Sequence, residues 1–265
     1  MLTNFINHYL EKSLENVFPS ELKEAMEYAL MSGGKRLRPN MLLLSFSSFS
    51  KLDYEVAINH AIALEMIHAY SLIHDDLPAL DNDDFRRGKP TTHKKYGEAI
   101  AILAGDALLN LSFEIMLGEG SFVKQNNRKL AFVKSPKARL KNSIYATKII
   151  TKAAGTSGMI AGQTADILGK NDTYYIHSKK TAALFYAAFY SGAILGNANV
   201  EDAKKLAKAG FLFGLYYQLK DDIEDGEVTV KTNPDFILDS CLHIIKKLKL
   251  RNDELYEYIK KITKY

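Results

Sequence analysis

Apolar residues recur at three-to-four-residue spacing along most of the chain, which is the period of an amphipathic α-helix. Alternating apolar and polar runs bounded by turn residues, the mark of strands, are hard to find. Helices are predicted over Leu22–Met31, Met41–Phe49, Val56–His74, Glu98–Leu117, Ile144–Leu168, Ser178–Leu195, Ala203–Ile223 and Ile237–Leu248. Because an average helix runs about a dozen residues, we expect one all-α domain of roughly ten helices, covering residues 1–265.

Small residues are concentrated in two of these segments. Ala153–Gly158 continues into Ala161 and Gly162, and Ser191–Ala193 precedes Gly196. Glycine inside a helix costs about 1 kcal/mol relative to alanine, so this density needs a compensating reason. Close approach of two helix backbones is the favoured interpretation, and a ligand passing nearby is the alternative.

Composition sets limits on the class of protein. The hydrophobic share of 47% and charged share of 25% are ordinary for a soluble globular chain. A formal charge of +4 is too weak to argue for nucleic acid, although it suits a small anionic substrate. The single cysteine, Cys241, excludes an internal disulfide framework and a cysteine-based zinc site, and it fits a reducing compartment.

The N-terminal segment and the lengths of the apolar runs predict a cytoplasmic protein without stable membrane insertion. Polar residues interrupt Met1–Phe18, so we expect no signal peptide. We also expect no run that approaches the length of a membrane span. The segment Ser121–Asn142 has no acidic residue and seven basic ones, and a solvated surface segment is its favoured interpretation.

Two aspartate clusters carry the candidate chemistry. Asp75 and Asp76 precede Asp81, and Asp221 and Asp222 precede Asp225; each cluster ends an apolar helical run. A carboxylate is costly to place against a core unless a positive group meets it. For either cluster alone a solvated acidic helix end is the ordinary interpretation. Together they predict two walls of one polyanion site, bridged by hard divalent cations that prefer oxygen ligands.

The second cluster lies on one stripe of a helix. Gln218, Asp221 and Asp225 stand at i, i+3 and i+7, whereas Asp222 is turned about 100° from Asp221. Like charges at i and i+4 repel, and the helix dipole opposes carboxylates near the C-terminus. A bound divalent ion would convert that repulsion into coordination.

The first cluster needs a turn. Asp75 and Asp81 would point to different sides of a continuous helix, but Pro78 disfavours helical geometry before it. We therefore expect the chain to turn at Leu77-Pro78 and to bring Asp81 back towards Asp75. His68 lies two helical turns before Asp75 on the same face.

Basic residues accompany both clusters. They are Arg86 and Arg87, the cations Lys35, Arg36 and Arg38 of the glycine-started run Gly33–Pro39, Lys180 beside Thr181, and Lys231. The planar fork of arginine suits phosphate oxygens, and glycines let backbone amides approach a phosphate. Aspartates, magnesium and arginines together predict a diphosphate site. Surface salt bridging, which is worth little, is the alternative.

These motifs resemble the trans-prenyltransferases, the isoprenyl diphosphate synthases of the bacterial farnesyl and geranylgeranyl diphosphate synthase type. The matching segments are Gly33–Pro39, Glu65–Pro78, Asp81–Thr92, Lys180-Thr181 and Gln218–Asp225. The resemblance runs from Ala25 to about Lys231 and implies an all-α, prenyl-synthase-type helical bundle around a central cavity, usually a homodimer. After Asp225 the chain departs from the family, because Gly226–Asn233 is shorter than the family's pattern.

The resemblance also implies the reaction. A short-chain synthase condenses isopentenyl diphosphate with dimethylallyl or geranyl diphosphate by ionisation, condensation and elimination, with about three Mg²⁺ ions and with Mn²⁺ as an alternative ion. By the family's pattern, magnesium is held by Asp75, Asp81 and Asp221, supported by Asp76, Asp222 and Asp225. The allylic diphosphate is contacted by Arg86, Lys180 and Lys231. Isopentenyl diphosphate is held by Lys35, Arg38, His68 and Arg87. The reacting centre is lined by Thr181 and Gln218.

Product length in this family depends on side-chain bulk just before the first aspartate motif. Tyr70 stands five residues before Asp75, with Ser71 at four. A large ring in the chain pocket stops elongation early, so Tyr70 favours a C15 product, farnesyl diphosphate. Geranylgeranyl diphosphate is the alternative product, and simple packing of Tyr70 between helices is the alternative role.

Two other classes of protein remain as alternatives. Non-catalytic partner subunits of such synthases typically lose an aspartate motif, whereas this chain keeps both. Terpene cyclases also use aspartate-rich motifs, but they need no second diphosphate site, for which Gly33–Pro39 and Arg87 argue. An active synthase is therefore the leading hypothesis.

Overall fold

Helices account for nearly all of the regular structure in the part of the chain that is described. The computed structural model describes residues 2–118, 136–170, 172–226 and 233–264. Within those ranges the α-helices are α1 Leu2–Ser13, α2 Ser20–Met31, α3 Leu37–Ser47, α4 Glu55–Asp75, α5 Thr92–Tyr96, α6 Glu98–Leu117, α7 Pro136–Ala154, α8 Met159–Ile167, α9 Thr173–Ile176, α10 Ala182–Leu195, α11 Val200–Glu224, α12 Pro234–Lys247 and α13 Glu254–Thr263. The all-α fold class is confirmed.

Two departures from regular α-helix bear on function. A π-helical turn, His177–Thr181, lies between α9 and α10. A two-residue antiparallel ladder pairs β1, Phe85–Arg86, with β2, Lys89–Pro90. Single π-turns inserted between α-helical stretches are often found at functional sites.

One predicted helix is broken in the structure. The pattern over Ile144–Leu168 suggested a single helix, but α7 ends at Ala154 and α8 begins at Met159. Gly158 makes the break, because its φ of −127° and ψ of −124° are not helical. A Cβ at Gly158 would lie 1.9 Å from the carbonyl oxygen of Ala153, so only glycine fits there.

The chain divides into two compact units. The first comprises Met1–Asn40 and Ile58–Gln125. In it α2 and α5 pack on α6, and Tyr28 donates its hydroxyl hydrogen to the Pro90 carbonyl oxygen at 2.7 Å. The side chain of His74 lies against Gly105 of α6, where a Cβ would come within 2.2 Å of His74 Nε2. Glycine at 105 is therefore required for this packing.

The second unit comprises Met41–Ala57 and Asn126–Tyr265. Its centre is α10, which packs against α7 and α11, and α11 packs in turn on α12. The rings of Phe185 and Phe213, both fully buried, meet edge to face at 5.1 Å between centroids. Such aromatic pairs add to the stabilisation that burial of apolar surface gives.

Close approach of another backbone, as the sequence predicted, explains Gly162 and Gly192, whereas a Cβ on Gly155 or Gly158 would meet a carbonyl of its own segment. A Cβ on Gly192 would lie 2.2 Å from the Leu42 carbonyl oxygen, and one on Gly162 would lie 2.2 Å from the Lys180 backbone nitrogen. Both glycines belong to the second unit. The contact at Gly162 holds α8 directly against the π-helical turn.

Two helices contradict the expectation that no run reaches membrane-span length. By length and composition alone, α4 and α6 could each cross a membrane. In the most apolar stretch of α4, 78% of the residues are buried inside the protein, as in the core helix of a globular fold, but in α6 the share is 39%. Within the described part of the chain, α6 is therefore an apolar helix with an uncovered side.

Candidate functional site

The first aspartate cluster forms a tight turn after α4. The backbone N–H of Asp81 donates to the carbonyl oxygen of Asp75 at 2.8 Å, and that of Asn82 donates to Leu77 at 3.1 Å. The predicted turn at Leu77-Pro78 is confirmed. It places Asp75, which is half-buried, and Asp81, which is exposed, on the same turn of chain.

Asp76 faces the protein interior. It is 3% exposed, and its Oδ1 accepts a hydrogen bond from Arg86 Nε at 2.7 Å. Burial raises the pKa of the Asp76 carboxyl, and the Arg86 guanidinium partly offsets that rise. Arg86, a predicted diphosphate ligand, is therefore held by a carboxylate of the first cluster.

A hairpin brings the second arginine to the glycine-started turn. Arg87 and Gly88 connect β1 to β2 with φ of +54° and +75°, since a two-residue type I′ connection needs positive φ at both positions. The Arg87 guanidinium donates to the Gly33 carbonyl oxygen. It also lies so close to Gly34 that a Cβ there would be 2.8 Å from Arg87 Nη1. The hairpin that carries Arg87 and the run Gly33–Pro39 are therefore in contact, which the sequence alone did not predict.

The cations of the glycine-started run divide into two kinds. Lys35 is exposed and Arg38 is half-buried, so both remain candidate ligands. Arg36 is 4% exposed and pairs with Glu65 through Nη1 and Oε1 at 2.9 Å. It also donates to Asn7 at 2.9 Å, so its role is structural.

His68 lies among these arginines, and its surroundings disfavour its charged form. Burial, followed by the positive charges of Arg38, Arg87, Arg86 and Arg36, lowers the pKa of His68 well below its usual value. The cavity beside it measures about 40 Å³ and is also lined by Asp76, Arg86 and Arg87. That volume suits one or two water-sized groups, so the side chains of the first unit are already packed closely here.

The predicted chain-length residue packs beside His74 of the same helix. Tyr70 is 6% exposed, and its ring meets His74 edge to face at 5.7 Å between centroids. Burial, with the nearby charge of Asp75, raises the pKa of Tyr70 to about 12. Ser71 donates its hydroxyl hydrogen to the His68 carbonyl oxygen at 2.9 Å, which turns its oxygen towards its own helix.

The second cluster is organised by a chain of hydrogen bonds. Thr181 Oγ1 donates to Gln218 Oε1 at 2.6 Å, and Gln218 Nε2 donates to Asp222 Oδ1 at 2.8 Å. His177 Nε2 lies 3.0 Å from Asp222 Oδ2. Asp222 is 6% exposed, whereas Asp221 is half-buried and Asp225 exposed. Asp222, like Asp76, is therefore occupied by protein groups.

Three residues of this unit were missed by the sequence reasoning. Lys180 Nζ pairs with Asp166 Oδ2 at 2.6 Å, and Asp166 was not singled out. Gln163, on the same helix, has both amide atoms buried without a hydrogen-bond partner in the described part of the chain. His177 is the third. Two signals in the sequence could have identified them. Gln163 and Asp166 stand at i and i+3 in a helix rich in small residues, and His177 stands three residues before Lys180.

The carboxylates of each unit are of the type that Mg²⁺ binds together with substrate phosphates. Among residues 2–118, 136–170, 172–226 and 233–264, no three histidine, cysteine, aspartate or glutamate side chains are grouped as a ready-made metal centre. Mg²⁺ usually binds through one or two carboxylates plus substrate phosphates and waters. Asp75 and Asp81 supply such a pair on one turn, and Asp221 supplies hard oxygen donors on α11.

Each unit thus holds one part of the predicted set. The first contains Lys35, Arg38, His68, Tyr70, Ser71, Asp75, Asp76, Asp81, Arg86 and Arg87. The second contains Lys180, Thr181, Gln218, Asp221, Asp222 and Asp225. Lys231 lies outside the described residues, as do positions 121–135 of the basic segment.

Comparison with known proteins adds independent findings. A family model described as polyprenyl synthetase matches residues 19–261. The farnesyl diphosphate synthase of Geobacillus stearothermophilus is 42% identical over 228 residues, covering 84% of this chain and 71% of that protein. The chloroplastic geranylgeranyl pyrophosphate synthase 11 of Arabidopsis thaliana is 42% identical over 216 residues, covering 78% of this chain and 56% of that protein.

The fold has a solved counterpart of the same kind. The apo crystal structure of an FPP/GFPP synthase from Zymomonas mobilis superposes with a TM-score of 0.82. It is 30% identical, and the match covers 99% of this chain and 94% of that one. The predicted prenyl-synthase-type helical fold is therefore confirmed.

Proposed function

The chain belongs to the polyprenyl synthetase family, and from that membership we propose that it is a short-chain trans-prenyltransferase. It joins isopentenyl diphosphate to dimethylallyl or geranyl diphosphate and yields mainly farnesyl diphosphate. The observation that carries this proposal is the turn that folds Asp81 onto Asp75 beside the Asp76–Arg86 pair. The curated relatives support the reaction class, since they are named for farnesyl and geranylgeranyl diphosphate synthesis.

Recognition of the allylic diphosphate falls to Arg86, Lys180 and Lys231. Arg86 and Lys180 are held by Asp76 and Asp166 at 2.7 and 2.6 Å, so each cation is positioned before substrate arrives. A diphosphate brings more negative charge than either carboxylate and competes for both cations. Asp75, Asp81 and Asp221, supported by Asp76, Asp222 and Asp225, would hold about three Mg²⁺ ions. When bound, these ions neutralise the charge that develops on the leaving diphosphate.

Isopentenyl diphosphate is assigned to Lys35, Arg38, His68 and Arg87. The contact of Arg87 with the Gly33 carbonyl places its guanidinium beside the run that carries Lys35 and Arg38. His68 is neutral there, so it can donate one hydrogen bond to a phosphate oxygen without adding charge to a crowded cationic group. A synthase needs separate binding positions for two diphosphates, whereas a cyclase needs only one.

Thr181 and Gln218 are assigned to the reacting centre. When the allylic carbon–oxygen bond breaks, the diphosphate keeps the electron pair and the carbon becomes cationic. The alkene of isopentenyl diphosphate then attacks that carbon, and a proton is lost from the adduct. Oxygen lone pairs held close to the cation stabilise it, and the released diphosphate can take the proton, so no side-chain base is required.

Replacing Tyr70 with alanine is expected to lengthen the product. The ring is buried beside His74, and its loss would remove the floor that stops a growing chain. Chromatography of dephosphorylated products should show a shift from C15 towards C20 and longer alcohols. Tyr174→Ala is the control, because it removes an exposed ring outside the predicted site, and Ser71→Ala tests the second predicted chain-length position. An unchanged C15 product from Tyr70→Ala would refute the steric role.

A homodimer is the assembly that fits α6. Ile102, Leu103 and Leu117 of this helix are exposed, and a second copy would cover them as a buried interface does. We place the dimer in the cytoplasm, without stable membrane insertion. Sedimentation velocity without detergent should give the mass of two chains, and a monomer that partitions into lipid vesicles would contradict this assignment.

The function is tested by incubating the purified chain with Mg²⁺, isopentenyl diphosphate and dimethylallyl or geranyl diphosphate. Release of diphosphate and a predominant C15 product are the expected results. A predominant C20 product would favour the geranylgeranyl alternative. A chain that condenses nothing by itself, but changes the product of an active synthase, would instead identify a non-catalytic partner subunit.

A further inference from the structure

We infer that His177 is a positioning residue, whose hydrogen bond to Asp222 sets the polarity of the Thr181 hydroxyl at the reacting centre. The inference rests on the proposed function, because it assigns a task within that site. His177 is not among the residues predicted to bind metal or substrate. It lies in the π-helical turn that also supplies Lys180 and Thr181. Three hydrogen bonds connect it, through Asp222 and Gln218, to Thr181.

The direction of each hydrogen bond follows from the chemistry of Asp222. An ionised carboxylate only accepts hydrogen bonds, so both His177 Nε2 and the Gln218 amide nitrogen must donate to it. With its nitrogen turned to Asp222, Gln218 presents its carbonyl oxygen to Thr181 at 2.6 Å. Thr181 must then donate its hydroxyl hydrogen to Gln218. Because the hydroxyl hydrogen is used in that bond, the Thr181 oxygen presents only lone pairs to the reacting centre. That is the polarity that stabilises a developing cation.

His177 is the group that keeps this arrangement in place. Asp222 is 6% and His177 9% exposed, so water cannot readily replace a lost partner. Removing the donor at 177 leaves Asp222 Oδ2 desolvated and without its partner, which is costly for a buried acceptor. The carboxylate is then free to rotate. That rotation lets the Gln218 amide turn, and the Thr181 hydroxyl can point its hydrogen elsewhere.

The packing around the π-helical turn supports a role in orientation. Gly162 lets α8 approach so closely that a Cβ there would lie 2.2 Å from the Lys180 backbone nitrogen. The turn is thus fixed from one side by α8, and from α11 by the Asp222 pair. Residues that orient a neighbouring ligand typically change activity about 10- to 100-fold when they are replaced.

The test compares His177→Leu, which has no donor, with His177→Gln, whose amide nitrogen reaches about as far as Nε2. With saturating Mg²⁺ and substrates, His177→Leu should lower kcat about 10- to 100-fold with little change in KM, and His177→Gln should recover most of the loss. Combining His177→Leu with Asp222→Leu should add little to the larger single loss, since coupled residues are non-additive. His243→Leu, at an exposed position of α12, is the control and should retain native kinetics.

Two measurements separate positioning from folding and from the proposed function. Nitrogen-15 NMR of the histidine rings should show a proton on His177 Nε2 and a shifted signal in Asp222→Leu, whatever the activity. Thermal unfolding should show that both variants are folded at the assay temperature, with a lower midpoint for His177→Leu, because it leaves a buried acceptor without its partner. Native turnover in His177→Leu, or no recovery in His177→Gln, would overturn the positioning role alone. A native chain that condenses nothing would overturn the proposed function, and the positioning role with it.

Discussion

Replacing Asp75 with alanine is expected to lower kcat by about 10²- to 10³-fold, the usual cost of removing one preorganised electrostatic group from a reacting centre. Asp75 ends α4, and its carbonyl oxygen accepts the Asp81 backbone N–H, so its carboxylate sits on the same turn as that of Asp81. Losing one of two hard donors weakens the binding of any divalent ion there. The measurement is steady-state diphosphate release across a Mg²⁺ titration.

A second aspartate of the same loop supplies the control. Asp84 is more than half exposed and pairs with Lys94 at 2.7 Å on the surface. It lies outside the proposed metal set, and exposed ion pairs contribute little, so Asp84→Ala should keep native turnover and stability. If Asp75→Ala turned over at the rate of Asp84→Ala, with the same Mg²⁺ requirement, the metal role of the first cluster would be excluded.

Replacing Glu65 with leucine is expected to lower the free energy of unfolding by about 3–5 kcal/mol. The substitution removes the carboxylate that Arg36 meets at 2.9 Å, with both residues 4% exposed. Arg36 also has a φ of +49°, a backbone conformation that side-chain-bearing residues hold only when their surroundings fix it. The guanidinium left behind is charged, desolvated and deprived of its main partner. Urea unfolding followed by circular dichroism measures the loss.

Two further variants identify the cause of that loss. Arg36→Met combined with Glu65→Leu replaces both charges with apolar groups and should recover much of the stability, since a buried pair often adds little over well-packed hydrophobic residues. Glu201→Ala removes a fully exposed pair with Lys205 and should leave the urea midpoint unchanged. If Glu65→Leu also left the midpoint unchanged, the pair would have no structural role.

Much of the fold follows from local patterns. The apolar spacing gave the bounds of α6 and placed α4 within a residue, because both helices are long and strongly apolar. Pro78 was enough to predict the turn that joins Asp81 to Asp75. The break at Gly158 was not foreseen, since the same small-residue run is compatible with a continuous helix until the contact with the Ala153 carbonyl is known.

The candidate site was less accessible from the sequence, for a physical reason. Residue types and spacing identify which groups can bind metal or phosphate, but not which of them the protein itself occupies. Asp76 and Asp222 look like their neighbours in the sequence, yet one meets Arg86 and the other meets Gln218 and His177. Arg86 and His177 lie on other elements than the aspartates they meet, so those pairings depend on how the elements pack, whereas Gln218 stands one turn before Asp222 on α11.

The contact between His74 and Gly105 has a practical consequence for anyone wishing to alter the protein. The His74 ring packs directly on Gly105 of α6, and its other neighbour is the ring of Tyr70. A single methyl group added at position 105 must therefore displace the imidazole, which is the ring that Tyr70 packs against. Residue 105 therefore offers a way to change the surroundings of that ring by a substitution in α6 and none in α4.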